Sequence, residues 1–251
     1  MRGQSPRNLF GRRRGATPQR QGRARLLITS RENEKLKLVR KLHQRRWRDK
    51  LGLFIAEGED LVAAAQDAGF EAVEVLVAGE DVEPGLLAEV TTLGHPPRVI
   101  GVFRRTARSD ESVAASLSLW RVSDPGNVGT LIRAADAFGA AVQLSEGCAD
   151  PFGPKALRAG MGSTFRVPLR HFEILPGSVA LVAAGGVPLD EVDLERYPNF
   201  VLGAEREGLP EDVATRCDVA ATIPLRDAVD SLNVAMAGTI ALYSRWRKAG
   251  V

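Results

Sequence analysis

From residue 117 onward the chain alternates apolar runs of strand length with helical patterns, and its polar loops come directly after the runs. Leu117–Val122, Ala141–Ser145, Val179–Ala183, Phe200–Leu202 and Val219–Ile223 are such runs. After the first, Leu131, Ile132, Ala135 and Phe138 mark a helix that stops at Gly139. This alternation predicts a parallel sheet covered by helices, with a ligand crevice at the carboxyl ends of the strands. Three loops, around Asn127, Gly203–Gly208 and Ser231–Asn233, follow strands and can converge there.

The last thirty-four residues narrow this further. A strand ending at Pro224 hands over to Ser231-Leu232-Asn233, and a helix follows that is apolar on more than one face through Ala235, Met236, Ile240, Leu242, Tyr243 and Trp246. Such a helix needs cover on more than one side: a core, a second subunit, or both. As an isolated feature it is an ordinary core helix. Ser231 and Asn233 at its start are different, because free N–H groups and polar side chains there can meet a ligand.

Charge is distributed unevenly. The net value of +3 conceals 17 Lys/Arg against 3 Asp/Glu in the first fifty residues, leaving 17 against 28 in the rest. A basic arm on an acidic body suits a polyanion, whose condensed counterions the arm releases. A solvated tail explains the run equally simply, and an Arg-rich leader also suits a transit peptide, although residues 1–25 lack an amphipathic apolar face. With few apolar residues, 1–25 read as a disordered basic tail. Cys148 and Cys217 stand far apart, the three histidines neighbour neither, and no metal site is expected. No run approaches the roughly 20 apolar residues of a membrane span.

Residues 26–106 read as a small α/β unit. Thr29 followed by Glu32 is a capping-box pattern opening a helix. Its apolar stripe is Leu36, Val39, Leu42 and Trp47, and Lys35, Lys37, Arg40, Lys41, Arg45 and Arg46 cover the rest. Strands are expected at Leu53–Ala56, Ala72–Val77 and near Arg98–Val102, with helices near Glu59–Ala68 and Glu83–Leu93. The polar stretch 107–116 reads as a linker to a second domain, 117–251.

Neither glycine loop is a nucleotide fingerprint. Asp124-Pro125-Gly126-Asn127-Val128-Gly129 lacks Gly-x-Gly-x-x-Gly, and Gly203–Gly208 is followed by Leu209 and Pro210 where a P-loop has Lys and Ser/Thr. A nucleotide triphosphatase is disfavoured. Arg133 falls on the second turn of its helix, where it can reach back over the loop or form a plain surface ion pair. Lys155 and Arg158 lie three apart and can grip a phosphate backbone.

Together these loops resemble the SpoU/TrmH family of S-adenosylmethionine-dependent RNA ribose 2′-O-methyltransferases, part of the SPOUT superfamily. The first family motif resembles Asp124–Gly129 with Arg133 and Phe138-Gly139, the second Gly203-x-Glu205-x-x-Gly208-Leu209, and the third Ile223-Pro224 followed by Ser231-Leu232-Asn233-Val234. Pro154–Arg158 also matches, and the N-terminal unit is similar to the family's substrate-binding domain. Departures exist: Ala204, Arg206 and Ala235 replace commoner small or polar residues, and Leu-Ser-Leu-Trp-Arg-Val before Ser123 lacks the family's acidic–Gly lead-in.

The resemblance implies a C-terminal α/β/α domain with a parallel sheet and a trefoil knot, plus a small N-terminal α/β substrate-binding domain. It implies S-adenosylmethionine as methyl donor, no metal, and a cytoplasmic homodimer joined through the C-terminal domain. Arg133, Asn127, Glu205, Ser231 and Asn233 would be catalytic, and Gly203, Gly208, Ile223 and Leu232 would hold cofactor, with Gly203 permitting close approach. Lys155, Arg158, Arg40, Lys41 and Arg45 would contact RNA. Because arginine keeps its proton to a pKa above about 12, Arg133 suits a clamp on phosphate and developing alkoxide better than a base. The expected substrate is ribosomal RNA of the 23S type. Transfer RNA methylation, or a non-catalytic RNA-binding protein that kept the fold, are the alternatives.

Overall fold

A computed structural model describes residues 27–106, 113–226 and 230–250. The basic tail and most of the expected linker lie outside the described residues.

The first helix starts later than the capping pattern suggests. Helix α1 spans Glu34–Leu42, and its N-cap is Asn33, whose side chain accepts from the Lys35 N–H at 3.0 Å. Ser30 instead closes a local turn, accepting from the Glu32 N–H at 3.2 Å. The expected continuous helix breaks at Gln44, and α2, Arg45–Leu51, turns away. Leu36, Val39 and Leu42 form the buried stripe, but Trp47, expected on it, falls on α2 and is only half-buried. Strands β1 (Leu53–Glu57), β2 (Ala72–Val77) and β3 (Val99–Arg104) make an antiparallel sheet of order β1-β3-β2, joined by α3 (Glu59–Asp67) and α4 (Pro84–Val90).

The C-terminal unit contains β4 (Ser116–Leu119), α5 (Pro125–Phe138), β5 (Ala141–Leu144), α6 (Pro154–Gly160), β6 (Leu169–His171), β7 (Ser178–Leu181), β8 (Val187–Pro188), β9 (Asn199–Leu202), α7 (Glu211–Ala214), β10 (Val219–Thr222) and α8 (Val234–Lys248). Its seven strands are all parallel and run β6-β5-β4-β9-β7-β10-β8. The run read as Leu117–Val122 leaves the sheet after Leu119, where Arg121 takes φ 54°. The short strands β6 and β8 carried too little apolar signal to be read.

The two units are not beads on a tether. Phe54, Phe70 and Phe103 of the first share one buried cluster with Phe152, Leu157 and Phe165 of the second. Arg48 of α2 meets Asp150 at 2.7 Å with both side chains 4% exposed. Its Nη1 donates to both the Leu42 and the His43 carbonyls, so the buried charge is held by hydrogen bonds as well as by its counter-ion. Shared apolar burial and a desolvated ion pair hold the N-terminal unit at a defined place beside the sheet.

Candidate active site

Helix α5 begins where β4 leaves the sheet. Its N-cap Asp124 accepts from the Asn127 N–H at 2.9 Å, and Pro125 follows at the first helical position. That bond, with Lys155 Nζ adding charge at 3.2 Å, holds the Asp124 carboxyl below its usual range. Gly129, inside α5, does not cradle a phosphate. A Cβ there would lie 2.4 Å from the Ala156 carbonyl oxygen, so the glycine lets α5 and α6 touch backbone to backbone.

The loop after β9 closes on itself. Gly208 N–H donates to the Ala204 carbonyl at 2.9 Å, and a Cβ on Gly203 would fall 2.1 Å from the Gly208 carbonyl carbon. Gly203 is thus required first by its own loop, and what it can offer a ligand is its backbone groups. The fold presents Glu205 to the start of α5. Its carboxylate accepts from Asn127 Nδ2 at 3.0 Å and from the Asp124 N–H at 3.2 Å. Burial pushes the Glu205 carboxyl up, but the Asn127 amide and backbone N–H groups outweigh it and hold it below the usual carboxylate range.

Helix α8 supplies the third part. Asn233 is its N-cap, and Oδ1 accepts from the Ala235 and Met236 N–H groups. That leaves Nδ2 to donate to Asn127 Oδ1 at 3.1 Å. The amide chain Asn233–Asn127–Glu205 therefore has one direction, set at one end by a helix cap and at the other by a carboxylate that only accepts.

Beside this chain lies a cleft of about 600 Å³, within the usual range for a small-molecule site. Half-buried Ile223 and Leu232, with Leu181 and Val182, give it apolar walls; Gly203, Glu205, Ser231 and Asn233 give it polar edges. An adenosyl group fits this donor set: apolar faces for a flat base, and backbone amides at strand ends for its polar rim. Ile223, Leu232, Gly203 and Gly208, named from the sequence, all line this one space.

Other expected residues go elsewhere. Arg133 does not reach back over its loop; exposed on α5, it donates from Nη1 to Met161 Sδ at 3.0 Å, just after α6. Lys155 and Arg158 do not act as a pair. Lys155 joins Asp124, whereas Arg158 crosses to the N-terminal unit, reaching buried Glu57 at 3.3 Å and Thr92 at 3.1 Å. Arg45 Nη1 donates to the Cys148 carbonyl at 2.8 Å, Arg40 Nη1 to the Arg31 carbonyl at 2.8 Å, and Lys41 Nζ stands 5.4 Å from the Trp47 ring. Arg48 and Asp150 escaped the sequence reading; only proximity across a hundred residues gives them meaning. No cluster of three metal-ligating side chains occurs among the described residues.

Residues 114–243 match the SpoU rRNA Methylase family, and residues 33–123 match the MRM3-like substrate binding domain. The chain belongs to the SpoU rRNA methylase family. A relative in Bacillus subtilis, the 23S rRNA (guanosine(2553)-2′-O)-methyltransferase RlmP, is 32% identical over 86% of this chain and 97% of its own. Among solved structures, an AdoMet-bound rRNA methyltransferase from Sinorhizobium meliloti superposes with a TM-score of 0.81 at 30% identity, covering 89% of this chain and 98% of that one. The SpoU methyltransferase AviRb from Streptomyces viridochromogenes, solved with AdoMet, gives 0.78 at 25% identity over 87% and 98%. Family membership also accounts for the two-unit architecture, since both matched segments are present in one chain.

Proposed function

We propose that this chain is an S-adenosylmethionine-dependent methyltransferase acting on a ribose 2′-hydroxyl of ribosomal RNA. The observation that carries the reading is the directed chain Asn233–Asn127–Glu205 beside an apolar-walled cleft. When bound, the cofactor supplies an electrophilic methyl group on a sulfonium. Ile223 and Leu232 would flank the adenine, and backbone groups of Gly203 and Gly208 would meet its polar edge. The apolar wall would shield one side of the bound cofactor from water, and orientation of the reacting oxygen falls to Asn127, Ser231 and Asn233. Glu205, ionised at neutral pH, keeps the Asn127 amide turned so that its carbonyl faces Asn233.

Arg133 is exposed and bound only weakly, to a thioether, and can move to a substrate phosphate. There it would neutralise phosphate and support the developing alkoxide. Arg40, Lys41 and Arg45 lie on α1 and α2 with the RNA-facing role proposed for the N-terminal unit. Lys155 and Arg158 would contact RNA only by leaving Asp124 and Glu57.

Two copies would pair through α8. Met236, Ile240 and Tyr243 recur on one stripe and stay 59%, 37% and 49% exposed, an apolar surface that a second copy would cover. The trefoil knot belongs to the same reading, and a sheet order in which β9 lies between β4 and β7, and β10 between β7 and β8, is compatible with it. Pulling the chain by its ends should then leave it shorter than its contour length; full extension would exclude a knot. No described helix is long and apolar enough to cross a membrane, and the cytoplasm is proposed because ribosomal RNA is there. The deciding experiment gives the protein labelled S-adenosylmethionine with ribosomal and transfer RNA and maps the modified nucleotide. Label in transfer RNA alone, or in none, would refute the reading.

A further inference from the structure

The carboxyl edge of the sheet extends past the catalytic loop. Beyond β4, away from the cofactor cleft, the ends of β4, β5 and β6 border two clefts of about 640 and 660 Å³. They share Leu144, Ser145, Glu146 and His171, so they form one continuous groove, and it ends at Arg45 of α2 and Arg105 behind β3. Because the strands are parallel, this groove opens on the same edge as the Gly203 loop.

Its lining differs from the rest of the body. Arg45, Arg105, Arg121 and Arg170 line it with His171 and Glu146; at its far end Asp49 pairs with Arg45 at 3.5 Å and with Arg105 at 2.8 Å, so the positive character lies towards Arg121 and Arg170. Arg105, Arg121 and Arg170 come from the chain beyond residue 50, which carries 28 Asp/Glu against 17 Lys/Arg, so their gathering along one groove runs against the composition there. At its mouth Trp120 and Phe172 meet edge to face, centroids 5.1 Å apart at 65°. Both are half-buried and stand outside the hydrophobic core clusters.

Arg121 is the most telling residue. Its φ of 54° is a left-handed conformation that favours glycine, and a non-glycine residue held there marks a constrained position. The Ser145 hydroxyl accepts from its N–H at 2.8 Å, and a Cβ at Gly147 would lie 3.3 Å from Arg121 Cγ. Gly147 thus leaves space for the arginine stem along the groove. Trp120 and Arg121 stand just ahead of the active-site loop, since three residues after Arg121 Asp124 caps α5.

We propose that this groove binds single-stranded RNA flanking the target nucleotide, with one unstacked base on the Trp120–Phe172 pair and adjacent phosphates on Arg121 and Arg45. It rests on the RNA-methyltransferase reading and names the surface that presents the substrate. Aromatic faces accept any base, while arginines track the backbone, which is the chemistry single-stranded RNA requires. The shared edge carries the bound strand directly to the Asn127 loop.

The test uses full-length protein, protein-free 23S-type RNA, and the variants Trp120→Ala, Trp120→Phe and Arg121→Gly. Trp120→Ala should raise KM for RNA and weaken direct RNA binding by roughly tenfold, a typical loss for one stacked base. Its kcat and S-adenosylmethionine affinity should be unchanged, and Trp120→Phe should retain most of the binding. Arg121→Gly suits the backbone conformation, so melting should not worsen, while the dependence of log affinity on log salt should fall by about one phosphate contact. Unchanged KM and RNA affinity in both Trp120→Ala and Arg121→Gly would overturn the proposal, even with methylation intact. Losses seen only with assembled ribosomal subunits and not with bare RNA would also overturn it, assigning the groove to a protein. If the wild type methylates no RNA the catalytic reading falls, and the binding comparison still decides the groove.

Discussion

Asn233 donates from Nδ2 to Asn127 Oδ1 at 3.1 Å, joining residues 106 positions apart through the same amide that caps α8. Capping and site geometry are therefore separable by substitution. Asn233→Ser keeps a capping oxygen and should hold stability within a few tenths of a kcal/mol, whereas Asn233→Ala should lose about 1 kcal/mol. Both remove the donor to Asn127, and kcat should fall on the order of 10²-fold, as expected when a reacting group is misplaced. Thermal melts and single-turnover methylation separate the two effects; undiminished turnover in Asn233→Ser would remove the amide chain from the mechanism.

Arg133→Ala should lower kcat by roughly 10²–10³-fold, the usual loss of one charge-stabilising donor. Because the side chain is exposed and its bond to Met161 is weak, melting temperature and S-adenosylmethionine affinity should stay at wild-type values. Isothermal titration alongside methyl transfer reads both. Retained turnover would take Arg133 out of the chemistry.

Asp124 and Glu205 both have folded-state pKa values below the ordinary carboxylate range. As pH falls, the unfolded chain takes up these protons before the folded one does. Their contribution is complete above roughly pH 4, where free carboxyls titrate, and drains away as pH drops through the lower folded values. Melting temperature followed from pH 7 to 3 should decline at the acid end, and less steeply in Glu205→Gln. An identical acid limb in that variant would refute the role given to its hydrogen bonds.

Deleting residues 1–25 should weaken RNA binding and flatten its salt dependence, because the arm holds eight of the first fifty residues' 17 cationic side chains. S-adenosylmethionine binding should not change. Filter binding between 50 and 200 mM salt decides it: an unaltered slope would leave the arm without a part in RNA affinity.

Ile240→Asp puts a charge in the middle of the exposed apolar stripe on α8 and should shift the protein to monomers in analytical ultracentrifugation. A wild-type chain that sediments as a monomer at micromolar concentration would dispose of the dimer.

Much of the C-terminal unit was legible from local pattern. The alternation of runs and helices announced a parallel sheet, and the loop residues Asn127, Glu205 and Asn233 did meet at its carboxyl edge. Strands β6 and β8, three and two residues long, were not legible because so few side chains carry no periodicity. The helix start at Asn33 was missed because two capping residues compete within a few positions, and packing of Leu36, Val39 and Leu42 selects between them.

Residue type and order by themselves determined which groups could do the chemistry, since capping, chain reversal and strand ends depend on near neighbours. Tertiary structure alone decided what those groups face. It turned Arg158 towards Glu57 and Arg133 towards Met161, buried Arg48 against Asp150, and filled the space at Gly203 with its own loop. Each of these depends on contacts between distant segments, whose energies come from burial and desolvation. Sequence spacing carries no measure of either.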